Sequence, residues 1–223
     1  MCNNVVFTLP NPTRAHDPSW DLFANFLSNN SVGVIRDNTA LNAYQNSDEG
    51  GFLAARFLNH CLNLQYYGVS SQYAELAENN YGKELGDYCF DSSMQELDSL
   101  FKKKAINLCD KSIVFKGISN EPFYQCIDFA NKKVNDEICF PGFLSTTVCM
   151  EVAEKFSKTT PKIILEITGL NQLSVIIPEV RTVQNSCAGN IPEQEVLLNR
   201  DACFVVTKVE EFPDKKIISI KPK

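Results

Sequence analysis

Hydrophobic positions along this chain change their period near Cys109. Before it, apolar residues recur three and four apart, the spacing that gathers them on one face of a helix. Asp17-Pro18-Ser19 offers an N-cap with proline at the first helical position, and Trp20, Phe23, Ala24 and Leu27 follow on one side. Leu53, Phe57, Cys61 and Leu64 predict a second amphipathic helix over Phe52 to Leu64, with His60 beside the stripe, and a shorter helix is expected from Ser71 to Asn79. Ser93-x-x-Glu96 has the form of a capping box. Met94, Leu97, Phe101 and Ala105 would give its helix a buried face, and Lys102-Lys103-Lys104 would form a cationic last turn.

After Cys109 alternation takes over. Ser112 to Phe115 predicts a short apolar strand, and Phe123, Ile127, Ala130 and Val134 predict one more helix. Ile138 to Leu144 returns to extended structure through Pro141-Gly142, and Thr147 is placed to cap a helix carrying Val148, Val152 and Phe156. Ile163, Leu165 and Ile167 alternate, as do Ile218 and Ile220, with Leu173 to Ile177 between them. Val196 to Leu198 and Cys203 to Val206 read as two short strands, with Asn199-Arg200-Asp201 as their turn. The connections are too short for a regular parallel sheet. No repeat or low-complexity linker divides the chain. These patterns give an α+β class: a helical lobe over residues 1–110 and a β-rich core over 111–223, integrated as one domain.

Composition narrows the function. A chain of 223 residues is long enough to bury a sizeable core, and 44% hydrophobic with 22% charged residues is an ordinary globular balance. A net charge of −6 speaks against general nucleic-acid binding, which depends on neutralising phosphates. No apolar run reaches bilayer length, and Met1 to Val6 lacks the basic and apolar regions of a signal peptide. Nine cysteines with no Cys-x-x-Cys spacing, and only His16 and His60 beside them, predict no metal site. Scattered cysteines read as free thiols, mostly small core residues, in a reducing compartment. The expectation is a cytoplasmic protein, or a bacterial effector exported without a cleaved signal into a host cytosol.

Candidate chemistry concentrates in three segments. Glu193 and Glu195 stand two apart at the entrance of an apolar run, after a loop from Val183 to Pro192 rich in Asn, Ser and Gly. Residues i and i+2 of a strand share a face, so the two carboxylates project the same way. Like charges held that close invite a polar or cationic ligand between them. An exposed acidic strand end is the alternative for that pair alone. Val114-Phe115-Lys116-Gly117-Ile118 ends a strand in a cation and a glycine, and Phe140 to Thr147 runs a strand into Ser145-Thr146-Thr147. A plain helix cap is the alternative there.

Taken in chain order, the three segments resemble the mono-ADP-ribosyltransferases of the Arg-Ser-Glu, or cholera-toxin-like, class. That family carries an aromatic-Arg-Gly on one strand, a Ser-Thr-Ser on a second, and a Glu-x-Glu before a third. The likeness spans roughly Ile113 to Lys223. It implies a split β-sandwich of two packed sheets with an N-terminal helical lobe. NAD would be the co-substrate, nicotinamide the leaving group, and no metal would be used. Glu195 matches the catalytic glutamate that clamps the ribose, and Glu193 the residue that prepares an arginine acceptor. Ser145 matches the serine that holds the glutamate and the NAD ribose, and Gly117 the position whose backbone meets the nicotinamide amide. Thr146 and Phe156 belong to the same NAD-binding set.

One departure is Lys116, which stands where the family has arginine. Lysine brings a point charge to a pyrophosphate where arginine brings a rigid fork. Arg181 is available in the preceding loop as a second contact. The resemblance implies transfer of ADP-ribose to an unidentified protein acceptor, with arginine favoured by Glu193. Cleavage of NAD by water, transfer to a nucleic acid, and a silent interaction module that keeps the fold are the competing readings. Lys116 is the feature that favours the last.

Overall fold

The computed structural model describes residues 6–7, 34–35, 59, 62, 66–67, 90–119, 124, 126–178 and 195–223. Within them lie eleven strands and two α-helices. The first strands are Val6–Phe7 (β1) and Val34–Ile35 (β2), followed by helix Phe90–Lys104 (α1). Asn107–Leu108 (β3), Val114–Gly117 (β4), Glu137–Phe140 (β5) and Leu144–Thr147 (β6) lead to helix Met150–Phe156 (α2). Lys162–Ile167 (β7), Val175–Pro178 (β8), Glu195–Leu198 (β9), Ala202–Glu211 (β10) and Lys215–Pro222 (β11) complete the chain.

Nine strands lie side by side in the order β2-β8-β9-β6-β4-β7-β11-β10-β5, while β1 and β3 form a separate parallel pair. The two sheets expected from the resemblance are present as two joined halves. One half is β2-β8-β9-β6 and the other is β4-β7-β11-β10-β5. A single residue pair, Phe115 with Thr147, links them. Their inward side chains meet in one cluster. Leu144, Val175, Ile177, Val196 and Leu198 come from the first half, and Ile138, Phe140, Leu165, Phe204, Ile218 and Ile220 from the second.

The outer faces are covered by the helices. α1 lays Leu97, Leu100 and Phe101 against Phe143, Ile176 and Leu197, with Phe101 and Phe143 stacked at 5.6 Å. Burying each such side chain contributes roughly 1.5–3 kcal/mol. On the other half, Ala153 of α2 packs with Phe115 and Ile164. β7 is therefore buried on both faces, which is why it reads Ile163-Ile164-Leu165 without a polar break. Arg200, in the turn after β9, makes a bidentate contact to Asp98 of α1 (Nε–Oδ1 2.9 Å, Nη2–Oδ2 3.0 Å). That bond drives the guanidinium pKa further up.

Several expectations change. α1 begins at Phe90, so Ser93 lies inside it rather than at its cap, and exposed Ala105 follows its end while Leu100 takes the buried place. The three lysines do occupy its last turn. Residues 126–136 are turns, not a helix, and Ala130 and Val134 are exposed. Asp128 accepts from the Asn131 backbone and side chain, Asp136 accepts from the Lys133 N–H, and Asn135 has φ of 75°. Such local side-chain bonds outcompete helical ones. α2 starts at Met150 after Cys149 with no side-chain cap, because the Thr147 hydroxyl instead accepts the Cys149 N–H, 3.2 Å away. β9 and β10 do not pair with each other. The turn between them carries the chain from one half of the sheet to the other.

Cys139 and Cys203 are joined as a disulfide, contrary to the expectation of free thiols. They face each other across β5 and β10 with Cα atoms 4.1 Å apart, within reach of a bond that their sequence separation of 64 conceals. Cys149 is free and fully buried, as a small core residue should be. In the N-terminal half, Asn59, Leu62 and Tyr66 are helical, whereas β1 and β2 are strands that periodicity did not announce. The helices expected at Asp17 to Leu27 and Ser71 to Asn79, the loop from Val183 to Pro192, Arg181 and Glu193 lie outside the described residues.

Candidate active site

The three segments singled out in the sequence occupy three neighbouring strands, β9, β6 and β4. β6 and β9 pair antiparallel over four residues: Leu144 with Leu198, Ser145 with Leu197, Thr146 with Val196, and Thr147 with Glu195. Directly opposed residues share a face, and so do residues two apart. Glu195, Thr147 and Ser145 therefore stand on one face. Thr146 turns to the other face, and its hydroxyl donates to the Val196 carbonyl, locking the ladder from within.

On its other side β6 meets β4 only at Thr147 and Phe115. Beyond that pair the strands part: Lys116 and Gly117 continue along β7, opposite Leu165 and Ile164, while Thr146 and Ser145 continue along β9. The result is a fork in the middle of the sheet. Alternation puts Lys116 on the face opposite to Phe115, and thus opposite to Thr147, Ser145 and Glu195. Lys116 and the Ser–Glu pair border the fork from two sides instead of lining one wall.

Exposure selects the same residues. β4, β6 and β9 each have four residues, three buried and one half-buried, and the half-buried ones are Lys116, Ser145 and Glu195. A charged or hydroxyl side chain that reaches solvent from an otherwise buried central sheet is placed to meet a ligand there. Lys116 holds its Nζ 5.7 Å from the centre of the Tyr124 ring, within the range of a cation–π contact.

Gly117 has a packing reason to be glycine. A Cβ built there would lie 2.0 Å from the Ala153 carbonyl oxygen and 2.7 Å from the Ser157 nitrogen of the last turn of α2. The backbone of β4 thus runs flush against the helix. Ser157 fixes the same corner: its Oγ donates to the Ile118 carbonyl at 3.2 Å and accepts from the Ile163 N–H at 3.0 Å. Phe156, on the same helix, is half-buried and packs against the main core. Burial pushes the Cys149 thiol, just before α2, above its usual pKa.

Sequence reasoning missed Tyr124 and Ser157. Tyr124 lies eight positions after Lys116, and nothing in local spacing signals that its ring returns beneath the ammonium. Ser157 has only the local hint of a hydroxyl at a helix end. Among the described residues no group of three His, Cys, Asp or Glu side chains is arranged to hold a metal ion.

The sequence profile of the ADP-ribosyltransferase exoenzyme family matches residues 75–221. No curated protein sequence matches the chain. Among solved structures, it is similar to the ADP-ribosyltransferase Vis in complex with agmatine, at 16% identity and a TM-score of 0.56, over 96% of this chain and 88% of that one. A second structure of the Vis toxin, from Vibrio splendidus, gives 16% identity and a TM-score of 0.53 over 95% and 88%. The enzymatic component C2-I of the C2 toxin from Clostridium botulinum gives 14% and 0.52 over 98% of this chain and 50% of that one. At these identities the structural likeness speaks for the fold.

Proposed function

From the premise that this chain belongs to the ADP-ribosyltransferase exoenzyme family, we propose that it transfers ADP-ribose from NAD to an arginine side chain of a protein, using Glu195, Glu193, Ser145 and Lys116. The observation that supports this most is that Lys116, Ser145 and Glu195 are the half-buried residues of three adjacent, otherwise buried strands. Breaking the bond between nicotinamide and ribose leaves the electron pair on nicotinamide and develops positive charge on the ribose, as in glycoside cleavage. A carboxylate fixed by the β6–β9 ladder stabilises that charge without reorganising. Glu195 takes this role and holds the ribose, with Ser145 on the same face orienting glutamate and ribose.

Glu193, two residues earlier, prepares the acceptor. As a guanidinium nitrogen bonds to the ribose carbon it releases a proton, which Glu193 accepts. The agmatine bound by Vis carries a guanidinium, which favours an arginine-type acceptor here. Lys116 meets an NAD phosphate and half-buried Phe156 borders the NAD surface, while buried Thr146 and Gly117 back it through the Val196 carbonyl and α2. In this reading the chain is an effector that works in a host cytosol.

Incubation with labelled NAD, agmatine and a host-cell lysate, followed by mapping of the modified residue by mass spectrometry, tests the assignment. Label on a guanidinium supports it. Label on a nucleic acid, or free ADP-ribose alone, points to the nucleic-acid or glycohydrolase reading instead. If NAD does not bind in calorimetry, the chain is a silent module.

A further inference from the structure

Lysine in place of arginine loses the planar fork that would orient it on a phosphate, and a free lysine side chain explores many rotamers. Around Lys116 the fold supplies a surface that restricts it. Its Nζ lies 5.7 Å from the centre of the Tyr124 ring. Tyr124 is itself 7% exposed and sits in the main core. Its ring meets Phe129 edge-on at 6.2 Å; Phe129 stacks on Phe140 at 6.5 Å, and Phe140 meets Phe204 at 5.9 Å. Phe140 ends β5 and Phe204 lies on β10, so the series of rings anchors Tyr124 to the second half of the sheet. The aromatic face is thereby fixed before any ligand arrives.

We infer that Tyr124 is a positioning residue for Lys116: its ring holds the ammonium at the mouth of the fork between β4 and β6, so that a lysine does the phosphate-binding work of the motif arginine. The inference rests on the reading that Lys116 meets an NAD phosphate. Attraction between an ammonium and the negative face of a ring is electrostatic, and it strengthens where water is displaced. The ring attracts the ammonium through its π face and supplies no lone-pair acceptor, so the contact is compatible with N–H donation to phosphate oxygens. The ring limits the rotamers of Lys116 in the free protein, which lowers the entropy lost when NAD binds.

The test replaces Tyr124 by phenylalanine and then by phenylalanines of increasing fluorination, which weaken the ring's negative face while keeping its shape. NAD affinity is read by calorimetry on the full chain. Tyr124→Phe should stay within about twofold of wild type, because phenylalanine keeps the π face. Trifluorophenylalanine should weaken NAD binding by roughly tenfold, the order expected for losing a partly desolvated cation–π contact. Turnover at saturating NAD should change little, the mark of lost ground-state binding.

On a Lys116→Ala background the same fluorination should have no effect. A structural role for the ring would not produce that coupling. In the unliganded protein, the upfield ring-current shift of the Lys116 ε-methylene protons should vanish in Tyr124→Leu and persist in Tyr124→Phe. If Lys116→Ala binds NAD as well as wild type, the phosphate reading falls and this inference with it. If Lys116→Ala weakens binding but fluorination does not, the phosphate reading stands and Tyr124 is only a core residue.

Discussion

On one flank of β6, four residue pairs run in unbroken register to β9; on the other, one pair joins it to β4. The contrast divides labour within the proposed site. Glu195 and Ser145 belong to the closed flank, where neighbouring backbone bonds fix their directions. Lys116 belongs to the open flank, where the strands part, β4 continues along β7 and the ammonium lies over the Tyr124 ring. Charge stabilisation in a transition state demands preorganisation. Binding a flexible pyrophosphate requires room. The fork gives each function the flank that suits it.

The largest effect should come from the closed flank. Glu195→Gln keeps shape and register opposite Thr147 but removes the charge. Loss of such a group typically lowers the rate on the order of a hundredfold or more, so both transfer and NAD hydrolysis should collapse while the melting temperature holds. Turnover near wild type in the Gln variant would detach Glu195 from the chemistry. Glu193→Gln should separate the two reactions: transfer to agmatine falls sharply while hydrolysis by water survives. Parallel loss of both would mean that Glu193 serves the ribose and not the acceptor.

The open flank depends on close contact behind it. Gly117→Ala drives a methyl into the Ala153 carbonyl, 2.0 Å away. Backbone atoms are involved, so β4 or α2 must shift, at a cost of about 1–3 kcal/mol by analogy with overpacking. Denaturant titration should show that loss, and NAD affinity should drop as Lys116 moves with the strand. Full stability in the alanine variant would show that the strand and helix are not locked together.

How much of this was legible beforehand differs by region for physical reasons. The three candidate strands could be read because each carries polar residues in a short apolar segment, and because Lys116, Ser145 and Glu195 follow one another in a family-like order. Their adjacency in the sheet was not legible, since it rests on pairings between residues far apart in the chain, Phe115 with Thr147 and Thr147 with Glu195. β1 and β2 are two residues long and pair with strands far along the chain, Val6 with Asn107 and Val34 with Ile177, so no local period betrays them. The run Ile127, Ala130 and Val134 has helical spacing, but the Asp128 and Asp136 carboxylates accept from the backbone N–H groups of Asn131 and Lys133 and win. The Cys139–Cys203 bond depends on a strand register that a count of nine cysteines cannot supply.

The smallest effect should lie at the far end of the closed flank, at the pair formed by Asp98 and Arg200. Its two bonds, 2.9 Å and 3.0 Å, tie α1 to the turn that leaves β9, and Arg200 also reaches Asp201 at 3.0 Å. Bidentate geometry makes this more than a chance surface contact. Both side chains remain partly exposed, Arg200 at 28% and Asp98 at 24%, and solvent screening reduces the contribution. Asp98→Ala should therefore cost about 1 kcal/mol, read as a lowered denaturation midpoint with an unchanged slope. Asp98→Glu should recover part of it. Because the β6–β9 ladder holds Glu195 independently, turnover should fall less than twofold or so, far below the loss in Glu195→Gln. A tenfold fall in turnover at full stability would show that α1 sets the direction of the glutamate, and that the closed flank is less self-sufficient than its four-pair register implies.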